Sequence, residues 1–211
     1  MPLDLQALLA PEHTAVLTME LQRGVAGDLA AMRHLADEVE QRGALANTGR
    51  LLAAAREAGA RVVHCTFEAR PDGAGATDNA PLLRAARRSP GHLVTGGPAT
   101  ELVPELGAQP SDIVNSRSHG LSPFGGTSLD ATLRNLGVTT VVATGVSVNV
   151  GVMGLAIEAV NHGYRVVVPT DAVAGVPAEY AEAALANSIA MVATLTSVAE
   201  VIAAWATKAA N

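Results

Sequence analysis

The stretch from residue 138 to residue 163, VTTVVATGVSVNVGVMGLAIEAVNHG, leaves few folds open to this chain. Its first part, residues 138–144, is β-branched and continuously apolar, which predicts a strand buried on both faces. Gly145 ends the strand, and Ser147 and Asn149 follow as small polar residues of a tight turn. Val150, Met153, Ile157 and Val160 then recur at i, i+3, i+7 and i+10, one face of a helix. Strand, sharp turn and helix is where an open α/β sheet presents free backbone N–H groups to a ligand. It is equally the form of any strand–helix unit, and spacing alone does not separate the two.

The same alternation runs along the rest of the chain. Residues 1–12 read as a short lead-in closed by Pro11, and residues 13–19 as a first strand ending in Glu20, Leu21 and Gln22. An acidic residue directly after an apolar strand is a candidate for a site at the carboxyl edge of a sheet, or simply the first polar residue of a loop. Residues 28–58 are patterned as a helix with Leu51, Leu52 and Ala55 near its end and Gly59 as its stop. Residues 61–67 form a second strand with His64 inside it, where a hydrogen-bonded core histidine is commoner than a ligand. The Pro-, Gly- and Asp-rich run 68–79 is a loop, and Gly73 and Gly75 lack the strand–GxGxxG–helix context of a dinucleotide site.

A short helix is predicted over 81–88, mostly loop over 89–111 and a third strand over 112–116. Thr127 or Ser128 caps the next helix, in which Leu129, Leu133 and Leu136 share a face before Gly137. After the central unit come a strand over 164–168 and a helix opened by Pro177 with Ala181, Leu185, Ile189 and Val192 as its buried stripe. Residues 191–195 read as a short strand or a continuation of that helix, followed by a helix through Trp205. Strands alternating with helices over the whole length predict one α/β domain, residues 1–211, with a parallel sheet covered on both faces.

With 49% apolar residues but only two Phe, two Tyr and one Trp, the interior must be built from Ala, Val and Leu. A net charge of −6 leaves no basic footprint for nucleic acid. No apolar run reaches the roughly 18 residues of a membrane span, and the N-terminus lacks a signal pattern. Cys65 is the only cysteine, so no intrachain disulfide forms, which suits a cytoplasmic protein.

Five segments in order carry a family resemblance. They are the first strand with Glu20 and Gln22; residues 122–130 (SPFGGTSLD); residues 136–147 (LGVTTVVATGVS); the helix after them; and residues 163–172 (GYRVVVPTDA). Together they make the chain similar to the isochorismatase-like hydrolase superfamily of isochorismatases, nicotinamidases and related cysteine amidohydrolases. The resemblance implies a three-layer αβα sandwich around a six-stranded parallel, Rossmann-like sheet, with the active site at the strands' carboxyl ends. It also implies a non-proline cis peptide between Val146 and Ser147, and a homodimer or homotetramer.

The cysteine hydrolases of this superfamily use an Asp as base, a Lys as electrostatic partner and a Cys nucleophile at the start of the central helix, where the helix terminus and the cation lower the thiol pKa. The matching positions here hold Glu20, Ser118 (with Arg117 immediately before it) and Gly151. Cys65 lies in another strand. The isochorismatase branch lacks the Cys as well and cleaves a vinyl ether by acid catalysis, which needs only a general acid. Glu20 is the candidate acid, Arg117 a candidate clamp for a substrate carboxylate, and His119 a second proton donor. Gln22, Ser118, Phe124, Ser147, Asn149, Val150 and Gly151 are candidate substrate contacts, with Gly151 expected to leave space and backbone N–H groups for an anion.

A metal is not expected, because residues 68–79 offer Glu68, Asp72 and Asp78 but no His for a nicotinamidase-type site, and no cofactor is expected either. The expectation is therefore a Cys-independent hydrolase acting on a small anionic metabolite; the alternative is a catalytically silent relative that binds a metabolite or serves as an assembly subunit.

Overall fold

The computed structural model describes residues 4–88 and 92–206. Parts of the predicted lead-in, of the 89–111 loop and of the C-terminal segment lie outside the described residues. In chain order the elements are α1 (Leu5–Leu8), β1 (Thr14–Met19), α2 (Arg23–Ala26), α3 (Arg33–Gln41), α4 (Ala44–Ala58), β2 (Arg61–Phe67), α5 (Pro81–Arg87), β3 (Ile113–Arg117), α6 (Leu129–Asn135), β4 (Thr140–Val146), α7 (Met153–Asn161), β5 (Arg165–Pro169), β6 (Val173–Ala174), α8 (Ala178–Asn187), β7 (Thr194–Thr196) and α9 (Val198–Ala206).

Six strands run in the order β3-β2-β1-β4-β5-β7, every ladder parallel, and the two-residue β6 pairs with β4 beside this path. Successive strand residues point to opposite faces, so the strands feed two cores. Val16, Val62, Val142 and Val167 pack under α3, α4 and α9; Leu17, Met19, Val63, Cys65, Val141 and Val168 pack under α6, α7 and α8. The α/β fold with a parallel sheet flanked by helices is thus the one the alternation predicts.

Two local expectations are corrected. The helix predicted over 28–58 is two helices, because Gly43 takes a left-handed φ of 63° and turns the chain between α3 and α4. Gly145 does not end β4 but sits inside it at φ 101°, where an added Cβ would lie 2.3 Å from the Met19 carbonyl oxygen, so only glycine fits. On the central helix the shared face of Met153, Ile157 and Val160 is turned partly outward: Ile157 and Val160 are exposed and Met153 only partly buried, while Val152, Leu155, Ala156 and Ala159 pack on the sheet. Alanine lets α7 lie close on the strands, and a core of small residues hides its buried face from a search for large ones.

Elsewhere the ambiguous segment near 191–195 resolves as a strand, since α8 stops at Asn187 and β7 follows. Thr127, not Ser128, supplies the side-chain cap of α6, its Oγ1 accepting from the Leu129 N–H at 3.2 Å. The peptide bond between Val146 and Ser147 is cis, as is that between Val176 and Pro177.

Candidate active site

Parallel strands end together, so β1, β2 and β3 deliver Glu20, Phe67 and Arg117 to the same edge of the sheet. Glu20 follows the last residue of β1, with its N–H donating to the Cys65 carbonyl at 2.9 Å and a φ of 52° that side-chain-bearing residues adopt rarely. That bend turns its carboxylate toward β3, where it accepts a hydrogen bond from Arg117 Nη2 and forms an ion pair. The Arg117 side chain is 2% exposed and that of Glu20 is 21% exposed. The guanidinium lies 5.4 Å from the centre of the Phe67 ring, its register partner, and Nη1 donates to the Thr66 carbonyl at 3.5 Å. Its Nε is buried without a partner. Of Arg117 and Ser118, Arg117 is therefore the residue that brings a cation to Glu20; Ser118 sits half-buried on the bend beyond it.

Gln22 is fully buried. Its Nε2 donates to the carbonyls of Phe67 and Thr100, both at 3.0 Å, and its Oε1 accepts from the Phe67 N–H at 2.8 Å. The amide brackets the ends of β1 and β2 to the segment at 98–100, and its polar atoms are committed to that bracket.

Beyond β4, the wide turn Val148–Val152 leads into α7. The Ser147 carbonyl accepts from the N–H groups of Val150 (3.1 Å) and Val152 (3.0 Å), so these two donors are spent inside the turn. Asn149 donates from Nδ2 to the Val176 carbonyl at 3.4 Å, and its Oδ1 is buried without a partner. The expectation that Gly151 leaves open space is corrected: an added Cβ would stand 2.7 Å from the Val146 carbonyl oxygen and 3.1 Å from Met19 Cε. The space beside Gly151 is already filled.

Two candidates stand apart from the Glu20–Arg117 pair. The His119 ring packs on Gly126, with Cε1 2.7 Å from where a Cβ would be, and among the described residues no hydrogen bond or ion pair joins it to Glu20 or Arg117. Phe124 is 4% exposed and stacks on His162 at 5.1 Å, within the core beneath α6 and α7. The loop that carries both is tied to α7 by Ser122, which donates to Glu158.

A buried network lies on the other face of the sheet. Asp112 accepts from Arg56 (2.7 Å) and lies 3.3 Å from His64 Nε2, while His64 Nδ1 lies 2.9 Å from the Thr18 hydroxyl. Burial pushes the His64 imidazole below its usual pKa, against the pull of Asp112. Burial alone would raise the Asp112 carboxyl, but Arg56, the Gln109 N–H and His64 outweigh it and hold the group below its ordinary value. A neutral His64 then donates from Nε2 to Asp112 and accepts from Thr18, a structural role for the strand histidine. Cys65 is fully buried, and that burial pushes its thiol up to about 12. Among the described residues no three His, Cys, Asp or Glu side chains converge where a metal ion would sit, and no described helix is long and apolar enough to cross a membrane.

Sequence and structure comparisons agree with this architecture. The isochorismatase domain model matches residues 14–200. An uncharacterized isochorismatase family protein, YecD of Escherichia coli O157:H7, is 32% identical over 92% of this chain and 97% of its own length. Maleamate amidohydrolase of Pseudomonas putida is 32% identical over 58% of this chain, and the chain spans about half the length of that relative (56%). A cysteine hydrolase from Pseudomonas syringae pv. phaseolicola shares the fold with a TM-score of 0.78 at 24% identity, covering 98% of this chain and 96% of its own. From residue 14 to residue 200, on the family model and on a relative of matching length, the chain belongs to the isochorismatase family.

Proposed function

We propose that this chain is a hydrolase that works without a cysteine nucleophile, with Glu20 as the proton-transfer group and Arg117 as the cation that holds it. The substrate class is a small anionic metabolite with a vinyl ether or related C–O or C–N bond. The observation that carries the reading is the Glu20–Arg117 pair at the carboxyl edge of the sheet, closed on the arginine side and open to solvent on the glutamate side. The Glu20 carboxylate takes up a proton from solvent on its open side and passes it to the vinyl carbon, which leaves an oxocarbenium ion; water attacks the ion and gives up a proton to Glu20, and the hemiketal then breaks into an alcohol and a ketone. Every covalent change falls on substrate and water, so no protein nucleophile is needed. The buried Cys65, with its thiol near 12, supplies no thiolate at neutral pH, and Gly151 has no side chain to attack with. The hydrolytic chemistry named for maleamate amidohydrolase supports hydrolysis here.

In this reading Ser118, Ser147, Asn149 and Val150, all partly exposed, contact the substrate, and His119 is the second proton donor. Gln22 and Phe124 act by holding the end of β2 and the loop around residue 122. Assembly into a homodimer or homotetramer belongs to the same proposal, supported by the outward apolar stripe of Ile157 and Val160. The single cysteine supports a reducing, cytoplasmic setting. A second reading, metabolite binding without turnover, is favoured by one observation, the filled space beside Gly151.

A mass-spectrometric turnover screen over isochorismate, other vinyl ethers, small amides and small esters tests the proposal, with wild type beside Glu20→Gln and rates referred to the folded fraction. Vinyl ether turnover lost in the variant supports it. Amide turnover that survives Glu20→Gln contradicts it, and binding without turnover across the panel selects the second reading.

A further inference from the structure

Gly151 lies in the turn that becomes α7, and a side chain there would point back at the end of β1. The ideal Cβ position lies 2.7 Å from the Val146 carbonyl oxygen, 3.1 Å from Met19 Cε and 3.2 Å from Met19 Cγ. The carbonyl belongs to the backbone and yields little. The two carbons belong to a side chain that is fully buried. In the sheet Met19 stands between Cys65 on β2 and Gly145 on β4. The unbranched thioether of Met19 reaches Gly151 with both its γ and its ε carbon. Methionine is suited to such an irregular gap because it bends without branching. A β-branched residue, the usual choice in a buried strand, has γ carbons but no ε carbon and would lose only the contact at 3.1 Å, whereas alanine would lose both.

We propose that Met19 is a specificity-determining residue of the site: together with the Val146 carbonyl it fills the space next to Gly151, which disfavours a side-chain nucleophile at this position and leaves Glu20, its neighbour in the chain, as the group able to do chemistry there. The loss of a nucleophile is then fixed by two residues from different strand ends, and restoring a thiol at 151 alone does not restore a usable one. The inference rests on the cysteine-independent reading of the site, but its test uses thiol reactivity and not turnover, so each can fail without the other.

The experiment introduces Gly151→Cys in a Cys65→Ala background, with Met19 retained or changed to Ala. Iodoacetamide is the probe: the thiolate sulfur displaces iodide, one S–C bond forms for one C–I bond broken, and intact-protein mass counts the adducts. The expected result is alkylation at least tenfold faster when Met19→Ala is present. Rates equal within twofold, or alkylation as fast as that of free cysteine with Met19 retained, overturn the proposal. A melting measurement covers the case in which the triple variant does not fold. Gly151→Ala is expected to lower Tm in the wild-type chain and to lower it less in the Met19→Ala background; equal drops in the two backgrounds overturn the proposal as well.

Discussion

Removing one member of the Glu20–Arg117 pair should cost very different amounts depending on which member goes. Glu20→Gln keeps the size and an acceptor but leaves the guanidinium charge uncompensated, with a side chain 2% exposed and only a carbonyl at 3.5 Å and the Phe67 ring to receive it. Breaking a buried ion pair from one side in this way costs about 3–5 kcal/mol. Arg117→Met leaves the carboxylate, whose side chain is 21% exposed and within reach of water. Solvent screening then brings the loss down to about 1–2 kcal/mol, including about 0.5–1 kcal/mol for the contact with the ring.

In Glu20→Gln/Arg117→Met no charge is stranded. The double variant should therefore be more stable than Glu20→Gln alone, with a coupling energy of about 2–3 kcal/mol. Urea unfolding followed by Trp205 fluorescence measures all four corners, since this buried indole donates to the Leu9 carbonyl at 2.8 Å and changes environment on unfolding. Additive losses, with coupling below about 0.5 kcal/mol, would refute the pairing. Equal losses in the two single variants would refute the claim that burial is lopsided.

Three further outcomes follow from the same geometry. His64 has a folded-state pKa below its unfolded value of about 6.5, so its contribution to stability is complete above that pH and drains away as pH falls toward the depressed value. In His64→Gln the pH–stability slope between about pH 6.5 and 5 should flatten by up to about 1.4 kcal/mol per unit, measured by chemical denaturation at each pH. An unchanged slope would mean that His64 does not titrate on unfolding. Gly151→Ala should destabilise by about 1–3 kcal/mol through overpacking against Val146 and Met19, read by urea unfolding. A neutral outcome would mean that the turn yields. Gln22→Leu strands the Phe67 N–H and two carbonyls and should cost at least about 2 kcal/mol on the same assay; a near-zero loss would show that water takes over the bracket.

The strands were legible because a sheet covered on both faces favours runs dominated by apolar and β-branched residues, and residues 13–19 and 61–67 are such runs despite His13, Arg61 and His64. Helix faces were harder. On α7 the larger residues Ile157 and Val160 face outward, while Ala156 and Ala159 meet the sheet. A periodicity built on size therefore selects the wrong side when the core is made of small residues. Glu20 was legible as an acid after a strand, and Arg117 as a cation near the end of another, but their meeting depends on β2 lying between β1 and β3. Gly151 misled for the same reason. Local sequence gives a glycine with nothing beside it, but the turn folds the Val146 carbonyl back onto it and Met19, from a distant part of the chain, fills the rest. Gln22 looked like a ligand contact because its partners, Phe67 and Thr100, are distant in the chain too. A methionine ending a strand otherwise made of Thr, Ala, Val and Leu was the one hint that something irregular had to be filled.

The central claim is that Glu20, and no cysteine, carries the chemistry. Its most direct test compares turnover of a vinyl ether by wild type, Cys65→Ala and Glu20→Gln, each corrected for the fraction folded. Cys65→Ala should stay within about twofold of wild type, and Glu20→Gln should fall by about 10²–10⁴-fold, the range for loss of a general acid. Activity that dies with Cys65 and survives without the Glu20 carboxyl would contradict the account.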